Sequence, residues 1–215
     1  MTHALRDEIC RVGASLYQRG YVHATAGNIS VRTDAGYLIT PTDACLGQLD
    51  PARLALVSAS GEHLAGDRPS KTLALHRQIY DADPQARCVI HTHSTHLVAL
   101  TLQGVWSPDD ILPPITPYFV MKVGHVPLIP YHAPGDPVVG ELVAARIRAM
   151  AQAGTPLRAV MLDRLGPNVW HASPAQASAV LEELEETARL YLLSRAEPLP
   201  PERLAELRAR FGATW

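Results

Sequence analysis

Apolar residues recur at helical spacing at the head of the chain, where Leu5, Ile9, Val12 and Leu16 share one face of residues 3–19 and Gly20 follows as a stop. The pattern then shortens to strand-like runs at 28–32, 37–40, 55–57 and 62–64, punctuated by Asp34, Gly36 and Ser60-Gly61. Ser70 reads as the N-cap of a helix running to about Tyr80, packed by Leu75 and Ile79. A buried strand is expected from Cys88 through Ile90 and on into His91-Thr92-His93. Four of the 18 prolines fall within 107–117 and predict a loop. Further strands are expected at 126–130 and 160–162. Ser173-Pro174-Ala175-Gln176 combines an N-cap, a proline at the first helical position and a glutamine suited to a capping box. The helix it opens buries Ala177, Val180, Leu181, Leu184 and Ala188, and a last helix over 201–211 offers Leu204, Leu207 and Phe211. Helix, strands, helix, strands, helix predicts an α/β sandwich with one layered core and no linker between domains.

Composition narrows the function classes. With 19 basic against 21 acidic residues, the 215-residue chain is near neutral, which argues against a nucleic-acid groove or a polybasic membrane surface. No uncharged apolar run reaches the ~20 residues of a membrane span. The first residues, MTHALRDEICRVG, are too charged for a secretory leader. Cys10, Cys45 and Cys88 form no paired framework, and together these features lead us to expect a cytoplasmic protein.

The sharpest chemical feature is Val89-Ile90-His91-Thr92-His93. Positions i and i+2 of a strand share a face, so the two imidazoles either converge on one metal ion or are polar residues hydrogen-bonded at a strand end. A full metal site needs at least one more ligand, and His96 has the wrong parity to join if the strand continues. Three further stretches offer neutral donors or a cation: Gly27-Asn28-Ile29-Ser30, Thr40-Pro41-Thr42-Asp43 and Pro69-Ser70-Lys71. Each alone reads as an ordinary turn or cap. Together with the histidines they suggest a phosphorylated, oxygen-rich ligand beside a metal. No G-x-G-x-x-G, P-loop or G-x-S-x-G is present.

Taken in order and spacing, GNIS, Thr40-Pro41-Thr42, Pro69-Ser70-Lys71 with His76, VIHTHSTH and EELEETARL resemble the class II aldolase/adducin family, from about residue 5 to 195. PTDACLGQLDP, GDRPSK, TPYFVMKVG and PYHAPGD are most similar to its branch of 3-oxo-tetronate 4-phosphate decarboxylases. The resemblance implies a three-layer α/β/α sandwich spanning 1–215 as a single domain, and a homotetramer with active sites between subunits. It implies a divalent metal, commonly zinc, on His91 and His93, and phosphate contacts from Asn28, Thr42, Ser70 and Lys71. It also implies a proton-donating tyrosine from a neighbouring subunit, for which Tyr118 is the candidate and Tyr131 is assigned to packing. The implied activity is carbon–carbon cleavage of a phosphorylated sugar acid, by decarboxylation through an enediolate.

Two positions depart from the family pattern. Thr72 stands where a catalytic glutamate is usual, four residues before His76, and Leu165 stands where a third metal histidine is usual. Asp163, His132 and His125 are the groups that could complete the metal site, and each also has a structural use in a turn or loop. The departures open an alternative: a ligand-binding family member without a competent metal. Decarboxylation tolerates loss of the glutamate better than aldol chemistry does. Departing CO₂ itself generates the enediolate, and no base has to remove a proton first.

Overall fold

In the computed structural model, which describes residues 2–215, the strand-like runs assemble into one eight-stranded sheet. The strands are β1 (Asn28–Thr33), β2 (Gly36–Ile39), β3 (Ala55–Val57), β4 (His63–Ala65), β5 (Cys88–His91), β6 (Leu128–Ile129), β7 (Ala159–Leu162) and β8 (Gly166–His171). Their order is β4-β3-β2-β1-β5-β8-β7-β6, and every neighbouring pair is antiparallel except β6 with β7. The helices are α1 (Thr2–Gln18), α2 (Leu73–Ala82), α3 (Thr95–Gln103), α4 (Val138–Gln152), α5 (Pro174–Ser194) and α6 (Pro201–Phe211), with a π-helical turn at Phe119–Val123.

Period-two alternation builds two cores, one on each face of the sheet. Ile29, Val31, Cys88, Ile90, Met161 and Val169 face α1, α3 and α5, where Ile9, Leu16, Leu97, Leu100, Val180, Leu181 and Leu184 meet them. Val89, Val160 and Trp170 face α2 and α4, against Ile79, Tyr80, Val143 and Ile147. The expected α/β/α sandwich of three layers is the architecture observed.

Several local expectations are corrected. The helix after Pro69 starts at Leu73, and Ser70 lies outside it, its Oγ accepting the Thr72 N–H at 3.4 Å. The strand through the histidines stops at His91, because Ser94 and Thr95 turn the chain directly into α3. Neither α3, α4 nor β8 is expected from the sequence. Thr95, Val98 and Thr101 read as strand formers, while Pro167 and Asn168 do not. The cap at Ser173 forms as expected, its Oγ accepting the Gln176 N–H at 3.3 Å. On α6 only Leu207 is buried, and Phe211 is exposed.

Candidate functional site

One end of the sheet gathers the start of β1 and the ends of β2, β5 and β7. There, on the face carrying α2 and α4, lies a cavity of about 640 Å³. Asn28, Thr42, Ser70, Lys71, His91 and His93 all line it, together with Thr72, His132, Asp163 and Leu165. Six residues singled out from four separate stretches of sequence therefore share one enclosure. Tyr118 does not: it precedes the π-helical turn, is 62% exposed and is absent from the cavity wall. Tyr131 is equally exposed rather than packed.

The imidazole pair is set by backbone geometry. His91 ends β5, flanked in register by Asn28 on β1 and Asn168 on β8. Its Nδ1–H donates to the Pro167 carbonyl at 2.9 Å, which leaves Nε2 with the lone pair. His93 follows on the turn with its ring 5.1 Å from that of His91. Two glycines permit this packing. Gly27 takes φ +83°, and a Cβ there would stand 2.9 Å from the His91 carbonyl oxygen. Gly166 takes φ +141°, and a Cβ there would overlap the carbonyl of Thr92. Burial pushes His91 down to about 4, helped by His93 beside it and opposed by the bond to Pro167. Burial, then the nearby His23, also lowers His93, so both rings are neutral at pH 7.

As a metal centre, the donor set is incomplete. Leu165 brings an apolar side chain to the cavity where a third imidazole would stand. The His23 ring is 6.3 Å from that of His93, yet among the described residues no group of three His, Cys, Asp or Glu side chains is placed to hold an ion. A catalytic zinc site keeps three protein ligands. Of the other candidates, Asp163 and His132 do line the cavity, and His132 Nδ1 bonds the Asp136 carboxylate at 3.0 Å. His125 is elsewhere, bonded to Asp110 at 2.8 Å and stacked on Trp215. His96 turns away on α3 to the buried Glu185.

Behind the histidines lies a buried polar layer, of which sequence reasoning missed Tyr80 and Asn168. Ser30 Oγ bonds His76 Nδ1 at 2.8 Å and Tyr80 Oη at 2.7 Å. Nearer the cavity, Asn28 Nδ2 donates to Thr72 Oγ1 at 3.2 Å, and Ser70 Oγ donates to the same oxygen at 3.2 Å. His76 Nε2, Asn28 Oδ1 and both amide atoms of Asn168 are buried without a partner. The signal available in the sequence was parity. Ser30 and Asn28 share a strand face with each other, and Asn168 shares one with Trp170.

The chain is similar to known proteins in sequence and fold. The model of the class II aldolase and adducin N-terminal domain matches residues 7–192. A protein of Cupriavidus necator named 3-oxo-tetronate 4-phosphate decarboxylase is 59% identical over 218 residues, covering 98% of this chain and 97% of its own. The Escherichia coli K12 protein of the same name is 41% identical over 211 residues, covering 96% of each chain. Among solved structures, YgbL from Escherichia coli superposes with a TM-score of 0.85 at 40% identity, covering 96% of this chain and 99% of its own. The L-fuculose-1-phosphate aldolase of Thermus thermophilus gives 0.75 at 27% identity, with 91% and 97% covered. On these matches the chain belongs to the class II aldolase and adducin family.

Proposed function

We propose that this protein is a carbon–carbon lyase that decarboxylates a 3-oxo-tetronate 4-phosphate or a close analogue. The observation that carries the reading is the cavity. It joins a donor-rich wall of Asn28, Thr42, Ser70 and Lys71 to a pair of neutral imidazoles, in a chain 59% identical to a protein named for that reaction. Lys71, Thr42 and the second Nδ2 hydrogen of Asn28 hold the phosphate, Ser70 bounds that wall, and the positive end of α2 adds to their field. His91 and His93 face the reacting carbons. Loss of CO₂ from a β-keto acid breaks the bond between the carboxylate carbon and C2. The electron pair moves into an enolate whose charge rests on the C3 oxygen, and C2 then takes a proton from water.

The family generally depends on a divalent metal, which when bound supplies Lewis-acid stabilisation of such an oxyanion. Here His91 and His93 would hold one, and no step above depends on it. The exposure of Tyr118 suits a residue used by a neighbouring copy in an assembly with sites between subunits. Among the described residues no helix is long and apolar enough to cross a membrane.

A second reading is favoured by Thr72 and Leu165: a member that binds a phosphorylated sugar acid without turning it over. One assay separates the two. Incubation with phosphorylated three-oxo acids of four to six carbons releases CO₂ or a retro-aldol aldehyde if the first reading holds. Tight binding of the corresponding non-oxo acids with neither product supports the second.

A further inference from the structure

Proton bookkeeping at Thr72 gives this side chain a task. Its Oγ1 accepts two hydrogen bonds, from Asn28 Nδ2 at 3.2 Å and from Ser70 Oγ at 3.2 Å. Ser70 in turn accepts the Thr72 N–H, so the serine's own proton is committed to Oγ1. A threonine hydroxyl carries one proton and two lone pairs. Both lone pairs are occupied, and no acceptor for the proton exists among the described residues' hydrogen bonds. Thr72 lines the cavity, half-buried, and its partner Asn28 lies directly opposite His91 across β1 and β5. The one uncommitted O–H of this network therefore belongs to a side chain between the Lys71 wall and the imidazoles. Two donated bonds also polarise the oxygen and make its proton a stronger donor.

Building on the decarboxylase reading, we infer that the Thr72 hydroxyl is the donor that stabilises the oxyanion formed on the substrate's C3 oxygen as CO₂ departs. The direction of charge flow selects that oxygen over the carboxylate. Decarboxylation removes charge from the carboxylate and delivers it to the C3 oxygen. A donor on the carboxylate would hold the ground state back, while one on the C3 oxygen strengthens as the reaction proceeds. Part of the lining suits the group that is to lose its charge: Leu75, Val139, Leu162 and Leu165 offer it no donor side chain. The α2 N-terminus beside Thr72 contributes a positive potential of the right sign. In this arrangement Thr72 is a catalytic hydrogen-bond donor, neither base nor ligand, and Asn28 and Ser70 are the residues that position it.

The test compares wild type, Thr72→Val, which keeps the shape and deletes the hydroxyl, and Thr72→Ser, which keeps the hydroxyl. With 3-oxo-tetronate 4-phosphate, Thr72→Val lowers kcat for CO₂ release about 10²-fold with KM little changed, and Thr72→Ser recovers most of the rate. Calorimetry supplies a second readout that needs no turnover. Phosphoglycolohydroxamate, a stable enediolate mimic, loses about 10²-fold in affinity for Thr72→Val, whereas a tetronate 4-phosphate that lacks the oxo group binds nearly as before. Unchanged kcat and hydroxamate affinity in Thr72→Val overturn the assignment, and would place the hydroxyl proton on Asn28 Oδ1 with the amide rotated. Equal weakening of both ligands also overturns it, in favour of a phosphate contact. If wild type neither releases CO₂ nor binds either ligand, it is the decarboxylase reading itself that fails.

Discussion

Asn168, unremarkable in the sequence, makes a sharp prediction from its place in the structure. It stands in the middle of β8, fully buried, opposite His91 on one side and Val160 on the other, with neither amide atom paired. An unpaired buried amide costs about 1–3 kcal/mol, and a β-branched residue suits the pleat better. Asn168→Val is therefore expected to raise the free energy of unfolding by about 1–2 kcal/mol, read from the urea midpoint at constant slope. A loss of stability would mean that the amide has a partner, such as a buried water. The six cavity residues were legible because each carries a chemical group in a short polar stretch that interrupts apolar runs. Asn168 was not, because its significance lies wholly in its cross-strand neighbours.

At the level of elements, the pairing of His91 with His93 was expected from strand parity, and the geometry that delivers it differs. β5 ends at His91, and the turn into α3 carries His93, with Gly166 packed beneath the Thr92 carbonyl. Ser94 opens α3 at the point where the β-branched residues after His93 suggested more strand. Helix α4 was not expected, although Gly140, Val143, Ala144 and Ile147 fall on one buried face. Its place over the cavity, through Val139 and Gly140, is fixed by packing on α2 and on the sheet.

The turn between β7 and β8 carries the element-level prediction. Leu165 is half-buried on that turn and lines the same cavity as the imidazole pair. Leu165→His supplies the third nitrogen that catalytic zinc sites use. The variant purified without chelator, after incubation with zinc, is expected to hold close to one zinc per chain by elemental analysis, and wild type distinctly less. Equal zinc in both proteins would mean that wild type already completes its site with another group.

For the molecule as a whole, burying neutral histidines within the layer between the sheet and α2 makes stability depend on pH. His76 is pushed from 6.5 down to about 3 by burial, with a further push from His91, and His91 itself down to about 4. The unfolded chain binds these protons below about 6.5 while the folded chain does not. Stability from this source is complete above pH 6.5 and is lost as pH falls toward 4. The steepest slope is about 1.4 kcal/mol per pH unit for each histidine. Denaturant titrations between pH 7.5 and 4.5 should show this loss, with a shallower slope in His76→Gln. A flat profile would mean that the buried rings are protonated in the fold through partners of their own.

An α/β sandwich follows from the order of helical and strand-like runs, and its three layers were implied by the family resemblance. The cavity's enclosure was not predictable, since α4, the turn between β7 and β8 and the loop over 130–137 close it from parts of the chain that look unremarkable alone. The account's central claim is that this enclosure breaks a carbon–carbon bond of a phosphorylated β-keto acid. The most direct measurement is the rate of CO₂ release from 3-oxo-tetronate 4-phosphate by wild type and by His91→Ala, side by side. The account predicts one CO₂ per substrate consumed by wild type and at least a ~10²-fold slower reaction for the variant. A wild-type rate no faster than that of the free β-keto acid, or a variant as fast as wild type, would contradict it.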